Sequence, residues 1–300
     1  MMKKSGAIFF ILIFFLAGCS NASSSQSSTA NANSASKYIE NKGSDTLVNL
    51  ALAWAEEYQL EHPDIQISVS GGGTGTGITA LINGTVDIAN ASRAIKDEEI
   101  ADANAQGIDP YEIVVASDAI AVIVNPENPV DQLTMEQVSR IYQGLITNWK
   151  DVGGEDRPIV CLSRETNSGT HVYFLETVVR LGDSDNKALF SQETLLLPSS
   201  EGIIAEVSDN PNAIGYDGLG YVTENVKVLA LDNGAGYILP SAETVNDNSY
   251  PVARQLYMYT NGEPQGVLKD YIDWILSDAA QKFVLDLGFI PYQQVKGENQ

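Results

Sequence analysis

The 300-residue chain is poor in the residues that enzymes use most for metal binding and nucleophilic chemistry. It has two cysteines and two histidines, His62 and His171, and it lacks a His-x3-His pair or an Asp/His cluster. Metal-dependent and nucleophile-dependent enzymes need such groups in combination. The sequence therefore disfavours an enzyme, and we expect no catalytic residue, no metal site and no cofactor.

Basic residues are also scarce. Seventeen Lys and Arg stand against 39 Asp and Glu, which gives a net charge of -22. A nucleic-acid partner is not expected, because such partners require a basic patch that neutralises phosphates. The acidic excess also repels small anions at long range. An anion site in this chain must therefore act through short, buried hydrogen bonds.

A long apolar run occurs at the N-terminus, from Ala7 to Ala17, after two lysines. It is too short to span a bilayer, and its flanks are typical of an export signal. The run ends in Leu-Ala-Gly-Cys, which resembles a bacterial lipoprotein cleavage box. We predict a signal peptide over residues 1–18, lipidation of Cys19 and a flexible Ser/Ala/Asn-rich tether over residues 19–36. The alternative is an uncleaved signal with a chance cysteine.

These N-terminal features predict a protein outside the cytoplasm that is anchored to the cell membrane by lipid at Cys19. If Cys19 carries lipid, Cys161 has no partner for a structural disulfide. Cys161 lies in an apolar run and is interpreted as a small buried hydrophobe.

After the tether, apolar segments of strand type alternate with segments of helix type, which indicates an α/β fold with mainly parallel sheets. A capping box formed by Thr134 and Gln137 marks one helix start, and Pro240–Asn248 is predicted to be a loop. The predicted strands are a short one that begins at Ile39, then Ile65–Val69, Val86–Ala89, Ile159–Leu162, Ala213–Tyr216, Val226–Leu229 and Leu256–Tyr259. Ile113–Ala116 and Ala119–Val124 are predicted to form either a strand pair or one bent strand. The predicted helices are Leu47–Tyr58, Ile78–Ile82, Met135–Ile141, Val172–Val179, Ile203–Val207, Val267–Leu276 and Ala279–Leu287.

Three turns share one pattern, in which a strand leads into a Ser/Thr/Gly-rich turn and then into a helix start. They are Gly43–Thr46, Gly73–Gly77 and Ser168–Thr170. A helix start offers backbone N–H groups without intrahelical acceptors and a partial positive charge. Three such starts favour convergence on one negatively charged ligand. The Gly-rich turn lacks the Lys of a P-loop, so a nucleotide is disfavoured.

The third turn, from Arg164 to Thr170, offers the most varied donors. It combines a predicted N-cap at Ser168, two side-chain hydroxyls and the guanidinium of Arg164. The alternative is an ordinary capped helix with a surface arginine.

With these residues considered together, the chain resembles the phosphate-binding proteins of phosphate ABC transporters, the PstS family. The resemblance runs from about Tyr38 to Tyr292. It is carried by Gly43–Thr46, the Gly-rich loop, Val86–Arg93, Arg164 with Ser168–Thr170, and Ala213–Tyr216.

The resemblance implies an α/β, two-lobed type II solute-binding protein with mixed sheets flanked by helices and two crossing hinge strands. The order of elements places the first lobe at residues 37–117 plus 250–300 and the second at 118–249. The crossing strands are expected near 116–120 and 249–255.

The resemblance also implies the residues that bind phosphate. Ser44, Asp45 and Thr46 would supply the first helix start, and Thr74 would donate a hydroxyl, with Thr76 close enough to replace it. In the second lobe, the ligand would be bound by Arg164, Ser168, Gly169 and Thr170.

One position departs from the family pattern. Many members have an Asp after the Ala-Ser of the segment that here reads Ala91-Ser92-Arg93, and that Asp accepts a proton from bound phosphate. Because an extra residue upstream leaves the alignment uncertain by one position, either Ser92 or Arg93 could face the ligand. We favour Arg93. In the alternative interpretation, Ser92 faces the ligand and Arg93 pairs with a surface carboxylate.

The function that the resemblance implies is non-enzymatic binding of inorganic phosphate outside the membrane by a monomer that delivers it to the membrane subunits of an ABC permease. The alternatives are the same fold binding sulfate, molybdate or tungstate, a phosphatase, and, as the weakest, a surface adhesion or signalling role.

Overall fold

The computed structural model describes residues 37–292. The predicted signal peptide, Cys19 and the tether at 19–36 lie outside the described residues and stay predictions. Within the described range, no helix combines the length and apolar composition needed to cross a bilayer.

The helices form where apolar residues recur at helical spacing. The first shows this clearly, because Leu47, Leu50, Trp54 and Tyr58 are all buried on one face. The α-helices are Asp45–Glu61 (α1), Thr74–Ile82 (α2), Asp97–Ala105 (α3), Met135–Tyr142 (α4), Gly169–Phe174 (α5), Ser200–Asp209 (α6), Ala242–Asn246 (α7), Gly266–Ile275 (α8) and Asp278–Asp286 (α9). Helix α5 continues into a π-helical turn over Leu175–Val179. Short 3-10 turns span Trp149–Val152 and Leu219–Tyr221.

The strands alternate with these helices over most of the chain. They are Lys37–Gly43 (β1), Ile65–Ser70 (β2), Ile88–Ala91 (β3), Pro110–Val124 (β4), Gln132–Thr134 (β5), Val160–Arg164 (β6), Leu195–Leu197 (β7), Ala213–Gly218 (β8), Lys227–Val228 (β9), Ala230–Asp232 (β10), Tyr237–Ile238 (β11), Ala253–Asn261 (β12) and Ile290–Pro291 (β13).

The main sheet is mixed, with the order β2-β1-β3-β12-β4-β8-β6-β7. Strands β2, β1 and β3 are parallel at one end, and β8, β6 and β7 are parallel at the other. The central pairs, β3–β12, β12–β4 and β4–β8, are antiparallel. The expectation of mainly parallel sheets is therefore correct only for the two ends.

Strand β4 links the two halves of this sheet. Its residues 110–119 pair with β12, and its residues 120–124 pair with β8. Of the two predicted possibilities for Ile113–Ala116 and Ala119–Val124, a strand pair or one bent strand, the structure shows the single strand. Its arrangement beside β12 agrees with the expectation of two crossing strands.

Each half of the sheet contributes to its own large hydrophobic core. One contains Ile39, Trp54 and Tyr271, and the other contains Tyr142, Trp149 and Phe174. In the second core, the rings of Phe174 and Tyr216 stack with their centroids 3.6 Å apart. Such packing holds the strand ends that carry the turns of the candidate site.

Most predicted elements are present within a few residues of their predicted bounds, and the Thr134–Gln137 capping box is formed as predicted. The prediction of a loop at Pro240–Asn248 was wrong, because α7 forms there. Ser241 caps this short helix reciprocally with Thr244. Helix α3, which is acidic and has one buried residue, Ala103, was not predicted.

Candidate functional site

The candidate site forms where the carboxyl ends of β1, β3 and β6 meet the starts of helices. Residues Gly43 to Thr46 connect β1 to α1, and the backbone N–H of Ser44 donates to the carbonyl of Asn90 at 2.9 Å. The Ser44 side chain makes no capping hydrogen bond. Ligands of open α/β sheets bind at this edge, so the fold places the first predicted turn where a ligand is expected.

The second turn brings Thr74 against Ser92. Gly73 adopts a positive φ of 87° before α2 begins, a conformation that glycine tolerates best. The Thr74 hydroxyl accepts a hydrogen bond from the Ser92 backbone N–H at 3.0 Å and lies 3.3 Å from the Ser92 hydroxyl. Thr76 instead lines an outer cleft of about 540 Å³ with Lys42 and Glu99. The geometry favours Thr74 over Thr76.

The third turn caps α5 as predicted. The Ser168 hydroxyl accepts from the backbone N–H groups of Thr170 and His171 at 3.2 and 3.5 Å. Gly169 is tightly enclosed, since a Cβ atom there would lie 2.4 Å from the Thr74 Oγ1 and 2.5 Å from the Ser92 Oγ. A side chain is therefore excluded at Gly169 unless both hydroxyls move.

The hydroxyls of the three turns come together. The Thr46 and Thr170 hydroxyls are 3.1 Å apart, and both residues are buried. We call Thr46, Thr74, Ser92 and Thr170 the hydroxyl cluster. A hydroxyl can donate as well as accept, so the cluster and the adjoining helix starts form a donor-rich centre suited to an anion.

Arg164, at the end of β6, is 1% exposed and holds this region together. Its Nη1 donates to the Ser200 hydroxyl at 2.7 Å and lies 3.6 Å from Asp217. Its Nη2 donates at 2.8 Å to both Asp45 and the Pro198 carbonyl. Its Nε is buried without a hydrogen-bond partner in the protein.

The carboxylates around Arg164 join the two halves of the site. Asp45 also accepts from the Gly72 backbone N–H at 2.9 Å. The Asp45 side chain, which was predicted to belong to the site, therefore bonds to groups of the protein. Burial raises the pKa of Asp217, and the neighbouring Arg164 guanidinium opposes that rise.

The structure contradicts the preferred interpretation of Arg93. Both Nη atoms of Arg93 bind the Glu99 carboxylate, at 2.8 and 2.7 Å, in a bidentate pair. A planar guanidinium favours this geometry. Burial raises the pKa of Glu99, but the hydrogen bonds from Arg93 and the Lys96 backbone outweigh this effect and lower that pKa on balance. Ser92 lies in the hydroxyl cluster instead, which favours the alternative interpretation.

Sequence reasoning missed Arg254, which enters the site from β12. It donates through Nη1 to the Ser92 carbonyl at 2.8 Å and through Nη2 to the Thr170 hydroxyl at 3.0 Å. It also pairs with Asp118 at 3.0 Å. Arg254 belongs to no recognised motif. Its signal in the sequence is its position as a charged residue within the expected crossing strand near 249–255.

His171 is placed to support the third turn. Its Nδ1 lies 2.9 Å from the Arg164 carbonyl and 3.0 Å from the Ser163 hydroxyl. Burial lowers the pKa of His171, which favours the neutral imidazole at pH 7. Among residues 37–292, no group of three or more His, Cys, Asp or Glu side chains could hold a metal ion.

Comparisons with known proteins place the chain in a family. Residues 28–279 match the model of the PBP superfamily domain. The chain is 34% identical to the phosphate-binding protein PstS of Pseudomonas aeruginosa, over 84% of this chain and 82% of that protein. It is 32% identical to the PstS of Bacillus subtilis, over 98% and 97%.

A solved structure shows the same fold. It is the crystal structure of a putative phosphate ABC transporter substrate-binding protein from Clostridium perfringens with bound phosphate. The TM-score is 0.76 at 32% sequence identity, and the alignment covers 86% of this chain and all of that one. The chain therefore belongs to the PBP superfamily and, within it, to the PstS family of phosphate-binding proteins.

Proposed function

We propose that the protein binds one inorganic phosphate ion outside the cytoplasm and delivers it to an ABC permease, without catalysing a reaction. The observation that carries the proposal is the hydroxyl cluster, where Thr46, Thr74, Ser92 and Thr170 meet beside three helix starts. Relatives named as phosphate-binding proteins and a similar structure with bound phosphate support phosphate as the ligand.

The chemistry of the site suits a small oxyanion. Thr46, Thr74, Ser92 and Thr170 are each at most 1% exposed, so hydrogen bonds made there face little competition from water. The helix starts at Asp45 and Gly169 add backbone N–H groups that have no intrahelical acceptor. This local donor set offsets the long-range repulsion from a net charge of -22.

The binding residues in this proposal are Ser44, Asp45, Thr46, Thr74, Ser92, Arg164, Ser168, Gly169 and Thr170. Thr46, Thr74, Ser92 and Thr170 would bind through hydroxyls, and Gly169 through its backbone. Ser44, Asp45 and Ser168 would act at the helix starts. Arg164 has one free donor, the buried Nε, so it would contribute through this atom and through its charge.

We further propose that two lobes, residues 37–117 plus 250–300 and residues 118–249, close over the ligand as a monomer. The support is the separation of the two large cores, one around Trp54 and one around Phe174. Cross-contacts such as Arg164–Asp45 would then stabilise the closed form.

Isothermal titration of the purified protein tests the proposed ligand. We expect one phosphate bound per chain and no phosphatase activity with or without added divalent metal. Binding of sulfate or molybdate with no binding of phosphate would contradict the proposed ligand. Metal-dependent turnover of a phosphate ester would contradict a purely binding role.

The membrane anchor is a separate part of the proposal. A lipid chain contributes about 0.8 kcal/mol per buried methylene group, so Cys19→Ser should release the protein into the soluble fraction. The matched control is Ser20→Ala, which leaves Cys19 in place. Retention of the Cys19→Ser variant in the membrane fraction would refute lipidation as the anchor.

A further inference from the structure

Arg254 lies on the strand pair that links the halves of the sheet. It stands near the start of β12, and its register partner on β4 is Asp118. The side chains of Arg254 and Asp118 are 2% and 0% exposed, and Arg254 Nη2 and Asp118 Oδ2 are 3.0 Å apart. Burying two charges carries a desolvation cost, which indicates a role beyond filling space.

The guanidinium of Arg254 reaches the hydroxyl cluster directly. Its Nη2 lies within hydrogen-bond distance of the Thr170 hydroxyl at 3.0 Å and of the Thr46 hydroxyl at 3.3 Å. Its Nη1 donates to the Ser92 carbonyl at 2.8 Å. One side chain thus contacts the α1 start, the α5 start and the end of β3.

The two buried arginines of the site differ in their partners. Both Nη atoms of Arg164 are bonded to groups outside the hydroxyl cluster, and two carboxylates, Asp45 and Asp217, lie within 3.6 Å. Arg254 has one carboxylate partner, Asp118, and contacts two hydroxyls of the cluster. Of the two, Arg254 brings its charge closer to the hydroxyls.

From these contacts we propose that Arg254 binds the oxyanion itself, donating from its guanidinium to a phosphate oxygen among the Thr46, Ser92 and Thr170 side chains. The proposal rests on the proposed function and adds to it a charged ligand-binding residue. Asp118, paired with Arg254 across the linking strands, orients the guanidinium and partly neutralises it.

The experiment compares phosphate affinities by isothermal titration of wild type and variants. Arg254→Gln leaves Asp118 without its partner and could fail to fold, so the main variant is the neutral pair Arg254→Gln with Asp118→Asn. In this double variant Asp118→Asn keeps the side-chain shape, and no unpaired charge is buried. We expect it to fold and to bind phosphate about 30-fold more weakly or worse, the loss expected for removal of a buried charged contact.

The single variant Asp118→Asn distinguishes direct binding of phosphate by Arg254 from a purely structural role of Arg254. If Arg254 contacts phosphate, removal of the neutralising carboxylate strengthens its attraction for the anion, and affinity should rise several-fold. If Arg254 only holds the two helix starts in place, the loss of its ion pair with Asp118 makes its position less fixed, and phosphate affinity should fall. The direction of the change decides between the two roles.

A second buried arginine pair provides the matched control. Arg93→Gln with Glu99→Gln neutralises the bidentate pair next to Ser92, and its affinity should equal that of wild type. An equal loss in this control, wild-type affinity in the Arg254/Asp118 double variant, or weaker binding by Asp118→Asn would overturn the assignment of Arg254 alone. Wild type that binds no phosphate would overturn the proposed function and this assignment together.

Discussion

At the scale of single residues, the site depends on whether each donor is already used by the protein. Arg164 has four Nη contacts within the protein and one unpartnered Nε. The Thr170 hydroxyl lies within 3.1 Å of Thr46 and Arg254 Nη2. A substitution at Arg164 or Thr170 therefore changes ligand binding directly and also removes contacts that hold the other binding residues in place.

Arg164→Ala should weaken phosphate binding more than Thr170→Ala. Loss of the buried guanidinium leaves Asp45 and Asp217 without their cation, and such truncations cost about 2–5 kcal/mol. Thr170→Ala removes one neutral hydroxyl, which costs about 0.5–1.5 kcal/mol. Titration calorimetry measures both values. Equal losses, or an Arg164→Ala variant with wild-type affinity, would show that Arg164 does not support the ligand site.

Gly169→Ala should weaken binding without unfolding the protein. The added methyl group would lie 2.4 Å from the Thr74 Oγ1 and 2.5 Å from the Ser92 Oγ, so both hydroxyls must move. Such overpacking costs about 1–3 kcal/mol of folded-state stability, so we expect lost phosphate affinity together with a lower melting temperature. Gly202→Ala is the control, because its methyl group would meet the Ser199 Oγ at an ordinary 3.4 Å. Similar affinities for the two variants would argue against close packing at Gly169.

At the scale of elements, two loops bond to each other beside the site. The Asn167 side chain, in the β6–α5 loop, donates to the Gly72 carbonyl at 2.9 Å, and the Gly75 backbone N–H donates to the Asn167 carbonyl at 3.0 Å. Asn167 is exposed. These bonds join the second and third turns without using the hydroxyl cluster.

Asn167→Ala should speed phosphate release. It removes the side-chain bond to Gly72 and keeps the backbone bond to Gly75, so affinity should fall by about 0.5–1 kcal/mol for one exposed hydrogen bond. Stopped-flow displacement should show the change mainly as a faster dissociation rate. Thr166→Ala in the same loop is the control. An unchanged dissociation rate in Asn167→Ala would mean that the loop contact does not retain the ligand.

Sequence reasoning reached the elements with strong local signals. The apolar spacing of α1, the Thr134–Gln137 capping box and the Ser168 cap depend on neighbours in sequence, and all three were predicted correctly. Arg254 and Asp118 become partners only when β4 and β12 pair, 136 residues apart in the chain. Local patterns carry no information about that pairing, which explains why the contacts of Arg254 were missed.

The Arg93 interpretation failed for a related reason. The choice between Ser92 and Arg93 depended on the position of Glu99, which lies in the unpredicted helix α3. Helix α3 begins with three acidic residues, Asp97, Glu98 and Glu99, which were not assigned to a helix from the sequence. Once α3 forms, its first turn offers the carboxylate that takes up the guanidinium of Arg93.

At the scale of the whole molecule, two carboxylates that pair with arginines, Asp118 and Glu99, affect stability in opposite directions as the pH changes. Burial raises the pKa of Asp118 to about 6, although the Arg254 guanidinium opposes the rise and the nearby Asp217 adds to it. Glu99, paired with Arg93, has a lowered pKa. Its stabilising effect is present above its unfolded-state pKa and is lost as the pH falls through the folded-state pKa.

Asp118 should make the free energy of unfolding rise as the pH falls from about 7 to about 4. Above pH 6 the group is ionised in both states, and the folded protein bears the cost of a buried charge. Between about 6 and the ordinary pKa of 3.8, the folded state keeps a proton that the unfolded chain has lost, so protons favour folding. At about 1.4 kcal/mol per pKa unit, the gain is at most about 3 kcal/mol.

Comparison with Asp118→Asn isolates this contribution from the other carboxylates, because the amide cannot titrate. Urea unfolding of both proteins at pH 7, 6, 5 and 4, in buffers without phosphate, gives the difference in free energy of unfolding at each pH. Wild type should gain on the variant as the pH falls, with most of the change below pH 6. A difference that stays constant would mean that Asp118 titrates in the folded protein as it does in the unfolded chain. A wild-type free energy of unfolding that falls relative to that of the variant as the pH falls would mean that Arg254 holds Asp118 ionised. The pKa of Asp118 would then lie below 3.8, and the two linking strands would be joined by a net stabilising ion pair.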